Sequence, residues 1–373
     1  MPEKPSLDTL NAELERAGKM LDGCATMIRD NPEIDSANVR NIAEALLAVH
    51  EITSEIYKVR PDLMPDFLKP EPMKSLYAEF EVYRTYPSLV ERIEATNKKS
   101  RRLRELIHAP EILVMPGAWD PLSAILFERL GFEAIQGSSA AIAATLGRGD
   151  GEVLHPSRTI GVTREIVAAV SVPFNADGEA GYGGLEQTSR LVHGLIDAGA
   201  AGMNLEDSVP SGPTAAGRGL APIPDHLEKI AAVMETKRAL GSEFFLNARV
   251  DAFAIMRDDP KSALAEAVKR GNAYAEAGAD CIFYLGGSDR DTLATLVKEV
   301  AAPVSAFAVA DTPSVAELQE IGVARVSYGS AFQRAALAAL KRFAEGICER
   351  EGHTAMREAM SSRELQETLR SRR

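Results

Sequence analysis

Acidic residues and a single arginine recur where short apolar runs of this sequence end. Asp177-Gly178-Glu179 closes PFNA, Glu206-Asp207 closes GMNL, Arg249-Val250-Asp251 closes FFLNA, and Ser138-Ser139 leads on to Asp150. Side chains alternate along an extended chain, so Asp177 and Glu179 point the same way, as do Asn204 and Glu206. Carboxylates that converge without histidine or cysteine suit a hard divalent ion, Mg²⁺ or Mn²⁺ in its place, and do not suit zinc. A cluster of that kind repels itself unless a cation or a basic partner balances it. Arg249 is the evident partner, because its planar fork grips a carboxylate or phosphonate at two points. Singly, each residue has a plainer reading: an acid at a strand end is often a helix cap, and an arginine there is often paired to the next strand. Their joint occurrence at successive strand ends is what points to a site. Gly181, Gly183 and Gly184 around Tyr182 fit a tight turn or a close approach of backbone to ligand. Tyr182 itself reads first as a packing aromatic and second as a proton donor.

These residues need a scaffold that gathers strand ends. From Ile112 onward the runs ILVMPGAW, EAIQGSS, PFNADGE, GMNLEDS, FFLNARVD, CIFYLGG, PVSAFA and RVSYGS alternate with helical stretches. That pattern over roughly 240 residues predicts an α/β fold, a closed (βα)8 TIM-type barrel, whose functional residues lie at the C-terminal ends of the strands. An open doubly wound sheet is the alternative, disfavoured because no Gly-rich phosphate loop follows any strand. Ahead of the barrel, Leu7, Leu10, Leu14, Ala17, Leu21, Cys24 and Ile28 line one face of a helix. The pattern pauses at Asp30-Asn31-Pro32, resumes from Val39 to Ile56 and stops near Arg60-Pro61, which predicts an antiparallel pair. A third helical stretch spans Met73 to His108 with a break near Pro87. Its cluster Lys98-Lys99-Ser100-Arg101-Arg102 reads as a solvated face. The expected organisation is an α-helical extension over 1–105, a catalytic barrel over 106–348 and a charged tail over 349–373, with Ser361 to Arg373 frayed.

A net charge of −12 argues against nucleic acid and anionic membrane as partners and for small-molecule chemistry. The start MPEKPSLDTL carries no apolar targeting stretch, so a cytoplasmic location is expected. Cys24, Cys281 and Cys348 lie far apart without metal-ligand spacing and read as buried small apolar residues.

Taken as an ordered set, Met115-Pro-Gly-Ala-Trp-Asp120, Gly137-Ser138-Ser139, Leu146-Gly-Arg-Gly-Asp150, Asp177-Gly-Glu-Ala-Gly-Tyr-Gly183, Asn204-Leu-Glu-Asp207, Asn247-Ala-Arg-Val-Asp251 and Arg325-Val-Ser-Tyr-Gly329 resemble the phosphoenolpyruvate mutase and isocitrate lyase superfamily from Met115 to about Ile347. The resemblance implies a Mg²⁺ site with Asp177 as direct ligand and Glu179, Glu206 and Asp150 acting through water. Glu179 stands where the family usually has aspartate. It also implies that the Ser138 hydroxyl and the amides of Ser139 and Ala140 cradle a substrate carboxylate, that Arg249 binds the substrate's acidic groups, and that an enolate is stabilised. Asn204 stands where the C–C lyases often place histidine. The loop after the fourth strand departs most. Ser208 to Gly219 carries neither the K-[KR]-C-G-H run of the isocitrate and methylisocitrate lyases nor the lysine-rich stretch of the phosphonate enzymes. Arg218 is a charge this loop could bring on closure, or merely an exposed residue.

Three functions stay open at this point. The first is a Mg²⁺-dependent lyase cleaving a C–C bond of a small 2-oxo or 2-hydroxy di- or tricarboxylate, by decarboxylation or retro-aldol chemistry. The second is C–P chemistry on a phosphonopyruvate-like substrate, and the third is a catalytically impaired barrel kept as a binding or scaffold protein. The apolar eighth helix, Ala331 to Ile347, calls for a partner. In the resembling family it is exchanged between barrels, which implies a homodimer or homotetramer.

Overall fold

The computed structural model describes residues 6–29, 38–64, 73–209, 219–348 and 359–370. The chain divides into two compact units, Met1–Glu71 and Pro72–Arg373. In the first, α1 (Leu7–Arg29) packs along α2 (Asn38–Val59). Arg60, just past the end of α2, reaches Asp8 near the start of α1 at 3.2 Å, so the two run antiparallel as their apolar spacing predicts. The turn Asp30-Asn31-Pro32 lies outside the described residues.

The second unit opens with α3 (Met73–Tyr83) and α4 (Pro87–Ile107), broken at Pro87 as expected. The barrel follows: β1 (Leu113–Met115), β2 (Gly117–Ala118), α5 (Pro121–Arg129), β3 (Ile135–Gly137), α6 (Ser139–Thr145), α7 (Pro156–Ala169), β4 (Phe174–Asp177), α8 (Leu185–Asp197) and β5 (Gly202–Glu206). A small ribbon of β6 (Ser208–Val209) and β7 (Gly219–Leu220) precedes α9 (Ile223–Leu240), β8 (Phe245–Val250), α10 (Ala252–Ile255), α11 (Pro260–Glu276) and β9 (Cys281–Tyr284). The unit ends with α12 (Arg290–Glu299), β10 (Val304–Phe307), α13 (Val315–Ile321), β11 (Arg325–Ser327), α14 (Ala331–Cys348) and α15 (Ser362–Leu369).

All eight expected strands form, and they pair in parallel in the order β1-β11-β10-β9-β8-β5-β4-β3-β2. Pro116 splits the first strand, so β1 pairs with β11 while β2 pairs with β3, and that split strand closes the ring. Closure brings chains close together: a Cβ on Gly117 would fall 1.9 Å from the Gly329 carbonyl oxygen, which only glycine avoids.

Strand alternation sorts the barrel into two faces. Ala176, Met203, Leu205, Leu246, Ala248, Val250, Ile282, Val304 and Val326 point outward into the main apolar core beneath the helices. The intervening residues point into the barrel. Its N-terminal end is sealed by Leu103, Leu106 and Ile107 of α4, packed on Leu113, Ala134, Ala201, Phe245 and Cys281 at the strand starts.

That seal corrects in part the reading of the basic cluster as a solvated face: Lys98 and Arg102 are exposed, but the middle of the cluster turns inward. Ser100 is fully buried and its hydroxyl donates to the Ala201 carbonyl at 2.8 Å. Lys99 donates to the Val170 carbonyl at 3.4 Å, Arg101 pairs with Glu243, and Arg102 pairs with Glu133 at 2.7 Å. The charges clasp the strand starts because α4 needs polar partners around its apolar stripe. For the same reason the compact unit begins at Pro72 and not near residue 105, with α3 lying on α8 and α9. The end of the chain differs from expectation too. Ser361 and Glu364 form a reciprocal cap on α15, which packs on α5, so Ser362–Leu369 is helical and not frayed, while 371–373 lie outside the described residues. Of the cysteines only Cys281 is buried; Cys24 and Cys348 are exposed, since each sits on the outer side of its helix.

Candidate active site

Three neighbouring strands place the acids and the arginine. Asp177 ends β4 beside Asn204, and Glu206 ends β5 in register with Arg249 of β8. Register alone therefore sets the Arg249 Nη1 and Glu206 Oε2 atoms 2.5 Å apart. Asp251 takes the other edge of the guanidinium, accepting from Nε at 2.6 Å and from Nη2 at 2.8 Å. The ion triplet is buried, with Arg249 8% exposed and Glu206 5%. Burial works against the Arg249 charge, but Glu206 and Asp251 outweigh it and hold its pKa above the ordinary value. The Glu206 carboxyl is pushed up by burial, with Arg249 opposing and Asp251 and Asp177 adding to the rise. Its second oxygen accepts from the Ser208 hydroxyl at 2.6 Å.

Glu179 stands on a strained hairpin between β4 and α8. Its φ is +45°, that of Tyr182 is +56°, and that of the nearby Glu152 is +58°; among the described residues these are the only non-glycines with positive φ. Left-handed backbone at three side-chain-bearing residues is costly, and it gathers here around one carboxylate. Glu179 accepts from the Tyr182 hydroxyl at 2.7 Å and from the Glu152 amide. The hairpin is clasped from outside by Lys229 of α9, which donates to the Ala180 carbonyl at 2.5 Å, and by the Glu206 amide, which donates to the Glu179 carbonyl at 2.8 Å. Burial, then the proximity of Asp177, raises the Glu179 carboxyl to about 8.

Asp177, Glu179, Glu206 and Arg249 thus share one mouth. The Ser139 amide, expected to cradle a substrate carboxylate, donates to Asp177 Oδ2 at 3.0 Å, while Oδ1 accepts from the Glu179 amide at 3.2 Å. Asp150 is tied in through the Ser139 hydroxyl at 3.1 Å and acts on the Glu179 charge. The Ser138 hydroxyl caps α6 by accepting from the Ala141 amide, and Ala140 sits half-buried in the first turn of α6. Asn204 lies one layer lower, where its Oδ1 accepts from Asn175 at 2.9 Å and from Asn247 at 2.8 Å. Tyr182 is turned onto Glu179 and Thr159, with its pKa raised by burial and then by Glu179, so its hydroxyl is already engaged. Asp207 faces away and braces the strand end, accepting from Arg270 at 2.9 Å and Tyr274 at 2.8 Å. Arg218 lies outside the described residues.

Sequence reasoning passed over Ser208, Lys229 and Glu152. Asp251 was visible as the last letter of its motif, whereas Lys229 comes from a helix face that carried no signal.

Among the described residues no three His, Cys, Asp or Glu side chains are set to enclose a metal by themselves. The donors nevertheless fit a hard divalent cation that keeps most of its waters. They are all oxygens, and the carboxyls of Glu179 and Glu206 are pushed up by burial and by neighbouring acids, a repulsion that a bound cation would offset.

The model of the phosphoenolpyruvate phosphomutase family matches residues 103–348, which spans all the strands above. The chain belongs to that family. Within it, the chain is 36% identical over 221 residues to a chloroplastic carboxyvinyl-carboxyphosphonate phosphorylmutase of Arabidopsis thaliana, covering 58% of this chain and 63% of that one. It is 32% identical over 256 residues to a 2-methylisocitrate lyase of Aeropyrum pernix, covering 66% and 79%. An oxaloacetate acetylhydrolase solved with 3,3-difluorooxalacetate superposes with a TM-score of 0.66 at 26% identity, covering 73% of this chain and 93% of that one. Family membership confirms the resemblance and the barrel together.

Proposed function

We propose that the mouth of the barrel is the active site of a Mg²⁺-dependent lyase that cleaves a C–C bond beside the carbonyl of a small 2-oxo or 2-hydroxy di- or tricarboxylate. The observation that carries this reading is Arg249, buried and gripped on both edges by Asp251 and Glu206 beside Asp177. Asp177 would hold the cation directly, with Glu179, Glu206 and Asp150 acting through water. Bound there, the cation supplies a Lewis acid for the substrate's carbonyl oxygen. Asp251 fixes the plane of Arg249, so a substrate carboxylate can only meet the Nη1 side and must compete there with Glu206. Glu206, whose carboxyl pKa burial raises against the pull of Arg249, would have to yield that side of the guanidinium to the substrate. The names of the lyase and acetylhydrolase relatives support C–C cleavage.

Incubation with oxaloacetate, 2-methylisocitrate and 2,3-dimethylmalate plus Mg²⁺ is expected to give pyruvate or a related 2-oxo acid from at least one of them, and Asp177→Ala abolishes that turnover. Turnover of none of them would sink the reading. C–P chemistry is the second reading, favoured by the family model and the plant relative. Phosphorus NMR on phosphonopyruvate separates the two. Calorimetry that detects no divalent cation binding would instead favour a binding or scaffold role.

A homo-oligomer belongs to the same proposal. On α14 only Gln333 is buried, while Leu337, Leu340 and Ile347 are exposed, which supports exchange of this helix with a second copy. Light scattering tests it.

A further inference from the structure

Beneath the mouth, the layer of inward-facing residues is largely polar. Gln136, Asn175, Asn204, Asn247, Ser305 and Arg325 are each at most 3% exposed, one from each of six strands, while β9 contributes Phe283 beside Ser305 and Cys281 beside Asn247, and β1 contributes Met115 beside Ser327. Barrels of this kind usually fill such a layer with bulky branched residues.

Arg325 is the only charge in this layer, and its charge is unanswered. Nη2 donates to Gln136 Oε1, while Nε and Nη1 have no partner. The Ser305 and Ser327 hydroxyls are likewise unpartnered; Ser305 is the register neighbour of Arg325, and Ser327 lies two residues further along the same face. The acid that acts on its charge is Asp177, whose two oxygens already accept the Ser139 and Glu179 amides. Cys281 stays a neutral thiol, its pKa pushed up to about 12 by burial. An unpaired buried cation is expensive. Unmet as acceptors here are Asn175 Oδ1, Asn247 Oδ1 and the two hydroxyl oxygens, none of which carries a negative charge. Water could bridge those hydrogen bonds but would leave the charge unanswered.

We propose that this layer is an internal site for a small inorganic monoanion of halide size, held by Arg325 Nε and Nη1 with the hydroxyls of Ser305 and Ser327. Water meets the two amide oxygens on the opposite wall. The assignment does not rest on the reaction proposed above, although Asp177, the proposed cation ligand, also acts on the Arg325 charge.

Crystals of the full chain grown in sodium bromide test it. The expected result is an anomalous peak in contact with the Arg325 guanidinium; density there for waters alone overturns the proposal. In solution, replacing gluconate by chloride at constant ionic strength raises the unfolding midpoint by a few degrees, because an anion bound only by the folded state stabilises it. Arg325→Met risks the core itself, so the informative variant is the double substitution Ser305→Ala, Ser327→Ala. It is expected to lose most of the chloride-dependent shift, and a double variant that keeps the full shift places the anion elsewhere and overturns the assignment.

Discussion

The two ends of the barrel are built by the same strands and solve opposite problems. At the N-terminal end, Leu113, Ala134, Ala201, Phe245 and Cys281 meet the apolar stripe of α4, and the basic residues around that stripe pair with acids or carbonyls. At the C-terminal end, Asp177, Glu179 and Glu206 crowd together with one arginine between them, on a hairpin carrying left-handed backbone at Glu179 and Tyr182. One end relieves its charges and the other concentrates them. Stability is therefore expected to reside at the floor, and reactivity at the mouth.

The largest contrast should come from Asp177→Ala. Turnover of whichever acid is the substrate is expected to fall roughly 10³-fold or more, in line with loss of several kcal/mol of charge stabilisation, while urea unfolding stays near the parent or improves as repulsion is relieved. Steady-state kinetics beside a denaturation curve checks both halves. The converse substitution is Leu103→Ala in the fully buried seal. It is expected to cost about 2–5 kcal/mol of stability, as cavity-forming changes do, with kcat per folded molecule unchanged. If kcat fell in proportion, floor and mouth would not be separable.

A smaller effect concerns pH. The folded Glu179 carboxyl is raised to about 8 from an ordinary 4.5, so between those values the folded state binds more protons than the unfolded one. Stability of the metal-free protein is therefore fully present below about 4.5 and falls as pH rises toward 8. Glu179→Gln should flatten that slope, and added Mg²⁺ should reverse it by favouring the ionised carboxylate. Thermal unfolding across this pH range, with and without Mg²⁺, is the measurement. The smallest effect expected is that of Lys229→Met. Losing one hydrogen bond to the Ala180 carbonyl should loosen the Glu179 hairpin and lower kcat/KM by about tenfold or less.

Much of this was legible in the sequence. Periodicity located the eight strands and the helices α1 to α4, because burial on one face leaves a repeat of two or of about three and a half in the apolar positions. The acids and Arg249 could be named because barrel chemistry sits where strands end. What stayed hidden depends on partners distant in the chain. Lys98 to Arg102 looked like a solvated run because nothing local reveals that Ser100 will meet Ala201 or that Arg102 will meet Glu133. The tail looked frayed because the face of α5 that α15 covers lies some 230 residues earlier in the chain, a span roughly measured from sequence positions. Tyr182 was legible as a residue near the site, but its engagement with Glu179 and Thr159 was not.

The amino-acid order by itself determined the element types, the strand count and the chemical character of the mouth, since these follow from local alternation and from residue type. Only the closed barrel decided which atoms of those residues are already engaged: Arg249 by Asp251 and Glu206, Asp177 by two amides, and Arg325 by a single glutamine. The physical reason is that hydrogen bonds and ion pairs are set within a few ångströms by the register of neighbouring strands, and register is a property of the assembled sheet.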